Sequence, residues 1–167
     1  MKSEFLRKYI YNCFLLIIPV LCWNLLLTNR LPEVFQPEIF GKDIPPYIAY
    51  TENILRTLLF GFTLLMPLSI FKRRQKNGLI LYLTGIIFYF SSWLALIYFP
   101  QSSWSYSLLG FMAPAFTPLL WLTGIGLVGD SFYFGLPYKP WLFICVSFVF
   151  LLFHNIHAGI IYFRIYG

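Results

Sequence analysis

Charge is scarce in this chain. Asp, Glu, Lys and Arg make up 11% of its 167 residues, against 59% hydrophobic residues. A soluble domain of this size needs more polar surface than that, so a water-soluble fold is excluded. Cysteine is rare too: Cys13, Cys22 and Cys145 all lie inside apolar stretches. No extracellular disulfide framework can be built from them, and they read as small packing residues. No small-x-small cleavage site follows the first apolar stretch, where Arg30, Leu31 and Pro32 stand instead. That stretch is also too long for a signal-peptide core, so it is expected to remain as a helix. No nucleic-acid-binding motif accompanies the net charge of +6, and no nucleic-acid partner is expected.

What is there is length without polarity. Five apolar stretches, 5–27, 48–71, 79–99, 108–129 and 141–163, fill most of the chain. About 20 residues at 1.5 Å rise cross roughly 30 Å of hydrocarbon. The expected fold is all-α: a single polytopic integral membrane domain over 1–167, a bundle of five transmembrane helices. Lys2, Arg7 and Lys8, the turn Lys72, Arg73, Arg74 and Lys76, and Lys139 fall on one side of such a path. Basic short loops stay cytoplasmic, which predicts the N-terminus inside and the C-terminus outside. The same residues suit anionic lipid headgroups. The small, loop-poor form suggests a bacterial inner (plasma) membrane. Five spans cannot divide into two equal inverted halves, as many transporters do, and no internal repeat is visible.

The connectors differ in character. The loop 28–47 holds Pro32, Pro37, Pro45, Pro46 and Gly41 together with Val34, Phe35, Ile39 and Phe40. It is expected to lie across the outer helix ends as a lid, and loops this long are often functional. Lys72–Gly78 reads as a basic turn, with Asn77-Gly78 as a stop-and-start signal. Gln101–Ser107 carries Trp104 and Tyr106, typical of a membrane interface. Pro19 is expected to kink the first span. The fourth span is interrupted by Pro114 and Pro118, and Gly110, Pro114, Thr117, Trp121 and Gly124 form one helical stripe. That stripe reads as a close-packing face between helices. The sharper alternative is a broken helix whose freed backbone groups face a cavity.

Polar side chains inside hydrocarbon are costly and mark functional candidates. Here they gather at one depth. Glu52, Asn53 and Arg56 open the second span, and His154, Asn155 and His157 come late in the fifth. Asn24 lies near the outer end of the first, Ser91 and Ser92 in the outer half of the third, and Thr117 in the fourth. The inner half has only scattered uncharged groups such as Asn12, Ser69, Thr84, Thr123 and Ser147. A polar pocket roughly 5–15 Å below the outer surface is therefore expected, with 28–47 above it.

Glu52 and Arg56 stand four apart in the favourable order for a helical ion pair. They read either as an interfacial pair with Arg56 snorkelling, or as an anion clamp at Arg56 oriented by Glu52. His154 and His157, three apart, can face one cavity. They suit acid–base catalysis with Glu52 as partner, or a divalent metal held by His154, His157 and Glu52. No His-Glu-x-x-His pattern supports the metal, and two histidines on one helix argue against haem. Cys22, Arg56 and a histidine of the fifth span could form a Cys/Arg/His group. This superficially resembles the membrane transpeptidases of the exosortase class, but only in single residues, with no extended motif around Cys22. The five-helix, aromatic-rich format resembles the translocator protein (tryptophan-rich sensory protein) group, whose tryptophans and prolines do not align with those here. No family is assigned on either.

Three functions follow, in this order. The first is an outward-facing pocket that binds, and by extension transports, an amphipathic small molecule or lipid through Asn24, Asn53, Arg56, Ser91, Ser92, Thr117 and Asn155. The second is an intramembrane enzyme acting on a lipid-linked or isoprenoid-like substrate with His154, His157 and Glu52. The third is a membrane-complex subunit or assembly factor, as a homo-oligomer or with a partner membrane subunit, docking through the small-residue face.

Overall fold

Prolines open most of the helices. In the computed structural model, which describes residues 10–133 and 135–167, Pro stands at the first or second position of five of them. There its missing N–H costs nothing and its fixed φ suits the first turn. The order is α1 (Ile18–Leu27), α2 (Pro37–Phe40), α3 (Pro46–Leu65), α4 (Arg73–Tyr98), α5 (Ser103–Tyr106), α6 (Leu108–Phe116), α7 (Pro118–Val128) and α8 (Pro140–Tyr166). No strand occurs among the described residues, only an isolated bridge between Asn12 and Pro67.

Among the described residues, four helical segments are long and apolar enough to cross a membrane: Cys13–Arg30, Arg73–Tyr98, Leu108–Val128 and Pro140–Tyr166. The chain is thus an all-α protein with the helices of a membrane protein. The expected second span differs. α3 has 20 residues but carries Glu52, Asn53 and Arg56, and it is not among these four. It also stops at Leu65 rather than continuing to Phe71. Met66 is extended, its carbonyl accepts from Cys13 N–H at 2.8 Å, and Leu68 N–H donates to the Tyr11 carbonyl at 3.0 Å. Pro67, without an N–H, could not continue the helical ladder.

The other boundaries shift for local reasons. The first expected span begins in residues 5–9, which with Lys2, Arg7 and Lys8 lie outside the described residues. Its remainder starts as a tight 3-10 turn, Cys13–Leu16, and becomes α-helical at Ile18, one residue before Pro19. α4 begins at Arg73, not Leu79. The Gln75 side chain accepts from Lys72 N–H at 2.8 Å and caps it, so Asn77 and Gly78 lie inside the helix instead of in a turn. The fourth span is broken at Thr117 into α6 and α7.

The tightest packing joins α4 to α7. A Cβ on Gly85 would sit 2.4 Å from Trp121 N, and one on Gly124 would sit 2.5 Å from Tyr82 N. Only glycine permits that approach. Gly124 and Trp121 of the predicted stripe are therefore used within the chain as a close-packing face. α8 packs against α3 on one side and against α6 and α7 on the other. Tyr138, between α7 and α8, donates to the Gly126 carbonyl at 2.7 Å, and burial pushes its phenol above the ordinary range.

The basic end is closed by ion pairs. Asp130, just past α7, takes Lys72 Nζ at 2.7 Å and Arg74 Nη2 at 3.0 Å, and Arg74 also donates to the Gly129 carbonyl at 2.7 Å. At the opposite end the segment 31–44 folds back as a 3-10 turn, Glu33–Phe35, and α2. Gln36 fastens it to the end of α1, donating to the carbonyls of Thr28 and Leu31 at 3.0 Å each. Phe35 stacks on Phe111 of α6 at 4.6 Å. The segment expected to act as a lid, called the lid below, is thus packed against the bundle.

Candidate functional site

Glu52 is the centre of the site. It sits two turns into α3, 4% exposed, where α3 faces α8. An isolated carboxylate so placed would be costly, so it must be surrounded by donors. His154 Nδ1 lies 3.1 Å from Oε1 and His157 Nδ1 lies 2.8 Å from Oε2. Arg56, one turn further along α3, donates from Nη2 to Oε1. The three-residue spacing on α8 gives each carboxylate oxygen its own imidazole, and the four-residue spacing on α3 adds the guanidinium.

The rings are held from behind. His157 Nε2–H donates to the Phe40 carbonyl of the lid at 2.9 Å, with the Phe40 ring 4.8 Å away. His154 stacks on Phe150 at 5.6 Å with only 8° between planes. Arg56 lies over the same Phe150 ring at 5.7 Å, within cation–π range. Asn53 accepts from Arg56 Nη1 at 3.2 Å. Above them Arg164, the last basic residue of α8, donates to the carbonyls of Lys42 and Asp43.

Proton accounting fixes the chemistry. Three contacts join acceptors to ring nitrogens: Glu52 Oε1 with His154 Nδ1, Glu52 Oε2 with His157 Nδ1, and the Phe40 carbonyl with His157 Nε2. Each needs one hydrogen. Two neutral imidazoles supply one each and an ionised carboxylate supplies none. One added proton must therefore be shared within Glu52 and the two histidines. His157 has both nitrogens engaged. His154 Nε2 takes no hydrogen bond among the described residues.

A cavity of 390 Å³ opens beside this group. Arg56 and His154 stand on its wall, with Asn24 of α1 and Thr28 just past it, Tyr89 and Trp93 of α4, Trp121 of α7, and Phe35 and Phe40 of the lid. Its volume lies within the range of small-molecule pockets, and its wall is mostly apolar, aromatic and aliphatic alike, with a few polar groups. Tyr89 donates to Asn24 Oδ1 at 2.8 Å.

Of the sequence-derived residues, the structure brings together Glu52, Asn53, Arg56, His154 and His157, and places Asn24 across the same cavity. The others are engaged elsewhere. Ser91 is exposed on the outer face of α4, while Ser92 donates to the Tyr89 carbonyl at 2.7 Å. Thr117 donates to the Ala113 carbonyl at 2.7 Å. Asn155 donates to the carbonyls of Ala115 and Leu151 at 3.1 and 2.7 Å. It thereby satisfies a carbonyl next to the α6–α7 break. Cys22 is exposed and does not line the cavity, so no Cys/Arg/His group forms. His154 and His157 each hydrogen-bond to Glu52, and no group of three metal-ligating side chains able to hold a metal ion occurs among the described residues.

Sequence reasoning missed Phe150, Tyr89 and the Phe40 carbonyl. Phe150 was within reach, four residues before His154 on the same helical face. The carbonyl had no side-chain signal at all. No protein-family model, curated protein or solved structure matches the chain.

Proposed function

We propose that the protein binds an amphipathic small molecule or lipid in the cavity beneath the lid, with its polar head against Arg56 and His154. One observation carries this reading: a buried, proton-holding Glu52 cluster borders a 390 Å³ apolar-walled space into which two of its members face. A cluster with a purely structural role would not need the space. In this reading α3 completes five crossings, with the N-terminus inside and the lid and C-terminus outside. The length of α3, about 30 Å at 1.5 Å per residue, supports the fifth crossing. The cluster at the N-terminal end of α3 and the C-terminal end of α8 agrees with an outward-facing pocket.

The test is alanine substitution at Glu52, Arg56, His154 and His157, with folded yield followed in detergent and binding of fluorescent fatty-acyl probes measured alongside. Preserved folding with lost binding at Arg56 and His154 supports the site. Unimpaired binding in both variants would remove it.

A second reading has its own observation. His154 is oriented by a carboxylate at Nδ1 and keeps Nε2 unengaged among the described residues. That is the arrangement of a general acid–base, in which the carboxylate sets the tautomer and steadies the imidazolium. An intramembrane enzyme on a lipid-linked substrate would use His154 for proton transfer, with Glu52 and His157 behind it. Turnover of such a substrate that is lost in His154→Gln, with binding intact, would favour it over binding alone.

A further inference from the structure

The geometry points to a monoanionic amphiphile as the ligand: one negative head, with oxygen acceptors, on an apolar tail. The inference rests on the binding reading above and adds the charge of what is bound.

Glu52 and Arg56 look like a neutral pair, but the proton count makes them otherwise. Three hydrogen bonds join Glu52, His154, His157 and the Phe40 carbonyl, and they require one proton beyond those of two neutral imidazoles. Whether that proton sits on His157 or on the Glu52 carboxyl, it cancels the carboxylate charge. The Arg56 charge is then left over, and the cluster sums to +1 wherever the proton resides. Arginine does not give up its proton to relieve this.

Among the described residues the surroundings supply no other counter-charge. Glu52 is the one acid in the cluster, and no acid lines the cavity among the described residues. Glu33, Glu38 and Asp43 of the lid are exposed, and Asp130 is paired with Lys72 and Arg74 at the other end of the bundle. Arg164 donates to backbone carbonyls, which carry no net charge. Arg56, its side chain 41% exposed, carries this unmatched charge on the wall of an apolar cavity, and one bound negative charge would match it. Arg56 has donors to give. Its five N–H groups make two side-chain hydrogen bonds, to Glu52 and Asn53, so three remain. A carboxylate or a phosphodiester each offers one charge and two oxygens to such a fork. A cationic head is repelled, and a neutral one leaves the charge unmatched.

The experiment uses the full chain in nanodiscs of zwitterionic lipid, with empty discs subtracted. Four probes share one alkyl chain: dodecanoate, dodecanoyl lysophosphatidylglycerol, dodecanol and dodecyltrimethylammonium. At least one anion is expected to bind about tenfold or more tightly than dodecanol, with the ammonium weakest. Preference for dodecanoate identifies a free carboxylate as the source, preference for the lysolipid a phosphodiester headgroup, and equal binding the shared chemistry. In Arg56→Gln the anion-to-alcohol ratio is expected to fall close to one, whereas Arg56→Lys keeps it above one. If Arg56→Gln does not fold, judged by gel filtration, the ratio in the unsubstituted protein and in Arg56→Lys decides. Dodecanol binding as well as the anions would overturn the charge assignment and leave the binding reading standing. Failure of all four probes to bind would overturn both.

Discussion

The two ends of the bundle each hold one carboxylate among cations, and they differ in almost everything else. At the basic end Asp130 lies in a connector, its side chain 31% exposed, and joins the start of α4 to the end of α7. Its partners Lys72 and Arg74 have side chains 66% and 38% exposed. At the other end the Glu52 side chain is 5% exposed, reached by three cationic or titratable groups from two helices, and bordered by a cavity. An exposed ion pair near a membrane surface tolerates exchange with water and salt. A buried one in hydrocarbon demands complete bonding, so its cost needs a reason. The comparison separates a fastener from a site by burial and adjacent space rather than by residue type.

The sharpest way to break this contrast is Glu52→Ala against Asp130→Ala. Removing Glu52 strands the donors of Arg56, His154 and His157, with an expected loss of about 3–5 kcal/mol in reversible unfolding in mixed micelles. Comparable losses at both positions would erase the distinction. Next comes His157→Leu, which takes the hydrogen from the Phe40 carbonyl. A cost of about 1–3 kcal/mol is expected, with faster proteolysis of the lid around residues 37–43. Unchanged cleavage would show that Arg164 and Gln36 hold the lid alone. Asp130→Ala itself should cost no more than about 1 kcal/mol, and less as salt is raised. Smallest of all is Cys22→Ser, expected within about 0.5 kcal/mol of the parent and without effect on probe binding. Lost binding there would reinstate a role for the thiol.

Much of the site was legible because helical spacing is a strong constraint. Residues 52 and 56, and 154 and 157, had to share faces, and their place near two helix ends brought them to one level. The number and length of the apolar segments likewise followed from composition. What escaped was set by backbone partners distant in sequence. The end of α3 at Leu65 depends on Met66 pairing with Cys13, and no local signal announces that. The start of α4 at Arg73 was hidden because basic residues and Asn77-Gly78 look like a turn, whereas Gly78 serves the contact with α7. Asn155 looked like a ligand group because its acceptor, the Ala115 carbonyl, becomes free only through the interruption at Thr117. A lone polar residue in an apolar helix reads the same whether it awaits a ligand or answers a broken neighbour.

The attachment of the lid to α8 has a consequence for how the segment can vary. Every bond that α8 makes to it, from His157 to Phe40 and from Arg164 to Lys42 and Asp43, ends on a main-chain oxygen. Such a clasp recognises the course of the peptide and not the letters written along it. The segment can be rewritten position by position while the clasp holds, so long as the chain keeps its path, including the positive φ of 53° at Asp43. Related chains would then be free to diversify the roof of the cavity without disturbing the Glu52 cluster underneath.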